Sequence, residues 1–138
     1  MLQRIQSVWL LLAAGFNAVT FRFPFYSGDW IHDKFLSVVD LNAQTTIWHT
    51  LLTVITGALA VITIFLFTKR KMQLKLCYLG ILLTIALLAL YFLEINNFIG
   101  GTISIWAIFY FAILLCFIFA ARGIKQDEKL IRSMDRFR

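Results

Sequence analysis

In this chain of 138 residues, 61% are hydrophobic and only 14% are charged, where a soluble domain carries roughly a quarter charged residues to keep its surface wet. The composition excludes an ordinary soluble domain and leaves room for one membrane-embedded unit. The net charge of +6 is not by itself a sign of nucleic-acid binding, because basic residues gather on the cytoplasmic loops of membrane proteins.

Four stretches carry no formal charge: 5–21, 41–68, 76–93 and 95–121. A helix needs about 20 apolar residues to cross a bilayer core of ~30 Å. The expectation is an all-α fold, a four-transmembrane-helix bundle over residues 1–121, followed by a cytoplasmic amphipathic tail over 122–138.

Helix one is expected at about 3–21, with Arg4 and Arg22 snorkelling towards the two interfaces. Its apolar start, with small Ala13 and Gly15, has the look of a cleavable signal peptide, and is read as a retained signal anchor. Pro24 blocks continuation of the helix. The outer loop 23–44 is rich in apolar residues, among them Phe25, Tyr26, Trp30, Ile31, Phe35, Leu36, Val38, Val39 and Leu41. Such a loop is expected to fold back over the outer end of the bundle or to sit in the interface. A structural cap is the plainer reading of it, and a lid over a ligand or partner site the sharper one.

Helix two is expected at 45–68, with Asp40 or Asn42 available to cap its start. Lys69, Arg70 and Lys71 form a tight inner turn, and helix three follows over 74–96. The turn 97–101 is short, which makes helices three and four antiparallel neighbours, and helix four is expected over 102–121. Trp48, Tyr91 and Trp106 fall towards one interface and Trp9 and Tyr78 towards the other, as aromatic belts do. With the first helix entering from the cytoplasm, all of the 13 Lys and Arg except Arg22 and Lys34 fall on the inner side. The positive-inside bias then puts both termini in the cytoplasm.

Little in the chain suggests chemistry. The deep polar residues are Asn17, Thr53, Thr56, Thr63 and Thr84, and none is ionisable, unlike the mid-membrane groups of transporters. Cys77 and Cys116 share a depth but face a reducing compartment and lack histidine partners, so they read as packed thiols rather than a disulfide or metal site. Neither a cofactor, a bound metal nor an enzymatic activity is expected. The small residues Ala14 and Ala18, Thr53 and Gly57, and Gly80 and Thr84 mark helix contact faces.

Two polar features stand out. Arg22, His49 and Glu94 should lie at one depth near the outer mouth, where they either meet as a polar network or reach interfacial water separately; the separate reading is the plainer. In the tail, Leu130, Ile131, Met134 and Phe137 form one helical stripe. Lys125, Lys129, Arg132 and Arg136 gather opposite it. That face is either the solvated side of a helix lying on anionic lipid or a docking face for an acidic or phosphate-bearing partner.

The opening MLQRIQSVWLLLAA, the Phe23-Pro24 step and the closing residues 127–136 resemble an uncharacterised family of small four-helix membrane proteins of Bacteroidota. The resemblance spans the whole chain and implies an inner-membrane location and a four-span plan, with no activity attached. The function expected is a non-enzymatic accessory or scaffold subunit of a larger membrane assembly, for example in protein translocation or envelope biogenesis. The alternative is a small oligomeric transporter or channel. The lipid bilayer is the first partner, and direct nucleic-acid binding is not expected.

Overall fold

The structure is a computed structural model that describes residues 2–30 and 38–135, with side chains from Ile5 to Met134. Arg136 of the expected docking face, Phe137 of the stripe, Lys34 and the loop residues Ile31, Phe35 and Leu36 lie outside the described residues.

Four helices carry the fold: α1 (Leu2–Val19), α2 (Ile47–Phe65), α3 (Arg70–Ile95) and α4 (Ala107–Asp135). Each packs on two others, α1 on α4 and α2, and α3 on α4 and α2, which closes a ring. Helices α2, α3 and α4 are long and apolar enough to cross a membrane; the apolar part of α1, Ile5–Val19, is shorter.

The ring holds buried hydroxyls among its apolar interior side chains and is apolar on its outside. Thr53, Thr56, Thr63 and Thr84 are buried, and each hydroxyl donates to a backbone carbonyl four residues back, at 2.6–2.7 Å. Those bonds let a hydroxyl enter the interior already satisfied. Outward-facing positions on all four helices are instead large aliphatics and aromatics, such as Leu11, Val54, Leu82 and Leu115. In water this would be an apolar surface far beyond that of a soluble monomer, and it fits a lipid surround. Between the ends of the ring, Leu10, Ala13, Leu59, Ala60, Cys77, Ile113, Cys116 and Phe117 form a buried apolar cluster, in which both cysteines are free thiols.

The all-α expectation needs a correction. Three strands, β1 (Tyr26–Trp30), β2 (Val38–Leu41) and β3 (Phe98–Ile103), form an antiparallel sheet in the order β2-β1-β3. The segment expected as an apolar outer loop supplies two strands. The α3–α4 connection and the expected start of helix four supply the third, so α4 begins at Ala107 rather than near 102. At the end of an apolar ring the connecting backbone has little water to bond to, and strand pairing satisfies its N–H and C=O groups. Because β1 follows α1, β2 precedes α2 and β3 joins α3 to α4, all four helices have one end at this sheet.

Two further boundaries differ from expectation. Helix α2 starts after Thr46 with no side-chain cap, because Asn42 is used one turn earlier, accepting the Gln44 N–H at 2.9 Å. Helix α4 runs without a break through Gly123 to Asp135. The tail is therefore the continuation of the fourth helix rather than a separate one. The residues on both sides of Gly123 are good helix formers, and a single glycine costs only about 1 kcal/mol.

Candidate functional site

The sheet end of the ring is closed by Phe25. Its N–H donates to the Leu41 carbonyl at 2.7 Å and its carbonyl accepts from Ser104 N–H at 3.0 Å, so the backbone ties the residue between the flanking strands. Its fully buried ring stacks on Tyr91 of α3 at 5.1 Å and meets Tyr110 of α4 edge-on at 5.1 Å. Tyr110 in turn donates from its hydroxyl to the carbonyls of Thr20 and Phe23, at 3.2 and 3.0 Å. Those bonds tie α4 to the turn that follows α1. The start of the sheet segment is thus pinned into the ring by an aromatic plug.

Beneath the plug lies His49 of α2, 2% exposed, with its ring 4.4 Å from that of Tyr91. Neither imidazole nitrogen makes a hydrogen bond, and neither does the buried Tyr91 hydroxyl. Glu94, one turn further along α3, is close enough for its charge to act on the ring. Arg22 is exposed at the end of α1, and no ion pair joins Arg22 to Glu94 among the described residues. Of the three residues expected at the outer mouth, the structure brings His49 and Glu94 near one another and leaves Arg22 apart. Sequence reading missed Tyr91 as the ring partner of His49 and Tyr110 as the partner of Tyr91, having placed Tyr91 only in an interfacial belt. The available signal was depth: Tyr91 lies one turn before Glu94 on the same helix.

At the other end of the ring, Arg70 of α3 and Asp127 of α4 form an ion pair at 3.9 Å, too long for a hydrogen bond. Gln73 donates to the Thr63 carbonyl at 3.2 Å, and buried Gln6 packs against Gly123. Beyond this layer the described side chains of α4 from Lys129 to Met134 are exposed. Leu130, Ile131 and Met134 are exposed along it, as are Lys125, Lys129 and Arg132. Arg132 also meets Glu128 one turn back at 3.5 Å. Asp127, which interrupts the apolar stripe in sequence, turns inward to Arg70.

Among the described residues no three His, Cys, Asp or Glu side chains gather as metal ligands would. Over residues 2–137 the chain matches the family described as Domain of unknown function (DUF4293), and it belongs to that family. No curated protein and no solved structure matches it.

Proposed function

We propose that this chain is a non-enzymatic accessory subunit of a membrane assembly, crossing the bilayer four times and presenting the free end of α4 to a partner on the cytoplasmic side. The carrying observation is the continuity of α4 past the Arg70–Asp127 layer. A helix that continues its transmembrane axis cannot also lie flat on lipid, so Leu130, Ile131 and Met134 are held off the bilayer, where an apolar stripe calls for a protein surface. The short helix α1 crosses with the others, since it is packed between α4 and α2 and its outward face bears Ile5, Val8 and Leu11.

The apolar cluster around Leu10, Leu59, Ile113 and Phe117 separates the polar ends of the ring. That arrangement favours a scaffold over a transporter or channel with its path through a single copy. The test is site-specific photo-crosslinking from positions 130 and 134 in the native membrane, repeated with Lys129→Glu and Arg132→Glu together. A discrete protein adduct that the double reversal removes, with insertion unchanged, is the expected result. Adducts to lipid alone would sink the reading.

A further inference from the structure

His49 and Tyr91 contact one another ring on ring, with planes inclined by 48°, and not nitrogen to hydroxyl. Three polar atoms, His49 Nδ1 and Nε2 and the Tyr91 oxygen, are thereby buried with no hydrogen bond to any protein atom. Unpaired polar atoms are costly anywhere inside a protein and most of all at membrane depth. An imidazole in its neutral form offers one N–H and one lone pair, and a phenol offers a donor and an acceptor.

The polar neighbours of the Tyr91 hydroxyl are those of Thr53 and Tyr110. Both have their protons committed, Thr53 to the His49 carbonyl and Tyr110 to the Thr20 and Phe23 carbonyls. They retain lone pairs only. The inventory at this point is therefore two donors, His49 N–H and Tyr91 O–H, and at least two acceptors, the other imidazole nitrogen and a hydroxyl oxygen.

We propose that His49 and Tyr91 form a binding site for one internal water molecule, sealed under the Phe25 plug. Water supplies two protons and two lone pairs, which matches this inventory, and internal waters make two to four such bonds. A metal cation does not match it, because two of the four groups present protons and the one carboxylate whose charge reaches the imidazole is that of Glu94. With His49, Tyr91 and Phe25 at 0–2% exposure, the water is held rather than exchanged through an open mouth. The site is independent of the docking reading of α4.

The test uses the full chain in detergent micelles. Tyr91→Phe removes only the hydroxyl. If the hydroxyl is bonded, to water or directly to the Thr53 and Tyr110 oxygens beside it, its loss lowers the melting temperature by about 2–6 °C, and the water cross-peak below separates the two; if it is dry and unpaired, the apolar isostere leaves stability unchanged or raises it. In the unaltered chain, labelled with 15N-histidine, the His49 ring N–H should show a cross-peak to a long-lived water. An unchanged or raised melting temperature overturns the proposal, and so does the absence of that cross-peak, which needs no variant to fold.

Discussion

Arg70 at the start of α3 and Asp127 in α4 face one another across 3.9 Å, with side chains 32% and 13% exposed. The pair fixes where α4 leaves the ring, because Asp127 is the last inward-facing residue before the projecting turns. One guanidinium nitrogen of Arg70 is itself buried without a hydrogen bond, so the carboxylate is its main compensation.

Asp127→Ala should therefore destabilise the protein by about 1–3 kcal/mol, and Asp127→Asn should be nearly as costly, because asparagine restores no charge. A surface pair would contribute less than about 1 kcal/mol. Unfolding curves of both variants in detergent decide between these. A negligible loss in both would mean that the pair does not anchor α4.

This pair also shows where sequence reading stops. Asp127 and Arg70 lie on different helices, far apart in the chain, and the only local trace of the contact is a carboxylate interrupting the Leu130–Met134 stripe. The four helices were legible because a long uncharged run has few other readings, and three of them are long and apolar enough to cross a membrane. The sheet was not, because Tyr26–Trp30 and Phe98–Ile103 are short, broken by glycine, and paired across most of the chain. Nothing local to Phe25 announces that its ring belongs between Tyr91 and Tyr110. Depth alone left open whether His49 and Glu94 meet or reach water separately, and the contact of His49 with Tyr91 depends on helix rotation, which the composition of α3 leaves open.

Gly80 should not tolerate a side chain. A Cβ there would lie 2.5 Å from Phe117 Cε1, and Phe117 is fully buried with little room to move. Gly80→Ala should cost about 1–3 kcal/mol, as overpacking does. Gly15, inside α1 with nothing within 4 Å of its would-be Cβ, is the control, and Gly15→Ala should leave stability unchanged or raise it by up to about 1 kcal/mol. Equal effects at the two positions would show that α3 and α4 do not approach through Gly80.

The cap should open through its glycines. Gly28 of β1 pairs with Gly101 of β3, and a Cβ on Gly28 would meet the Gly100 carbonyl and lie 2.9 Å from the Gly101 Cα. Backbone atoms cannot step aside as a flexible side chain can. Gly28→Ala should speed amide hydrogen exchange in 26–30 and 98–103 by at least about tenfold, with the centre of α3 unaffected, since local openings are separable from global unfolding. Unchanged exchange in both strands would mean that they do not pair as described.

Membrane orientation is tested by reporter fusions. The bias of Lys and Arg predicts a cytoplasmic signal after Lys71 and after Arg138, and an extracytoplasmic one between Ser27 and Lys34. An extracytoplasmic signal at Arg138 would remove the four-span arrangement.

The last prediction concerns the direction of α4 beyond the ring. A continuous helix rises 1.5 Å per residue, so positions 115 and 133, both exposed, should be separated by about 27 Å along the axis. If the chain instead bent near Gly123 to lay its last turns on lipid, two perpendicular arms of about 12 and 15 Å would bring the same positions to about 19 Å. Spin labels at Leu115→Cys and Ser133→Cys, placed in a Cys77→Ala, Cys116→Ala background shown to fold, distinguish these lengths by dipolar spectroscopy. The label at 133 should also be relaxed by a water-soluble paramagnetic agent and not by oxygen dissolved in the bilayer. The straight distance together with aqueous exposure is the outcome expected if Leu130, Ile131 and Met134 are presented to a protein partner. The short distance, with oxygen reaching the label, would turn the same stripe into a lipid anchor and leave the basic face as its solvated side.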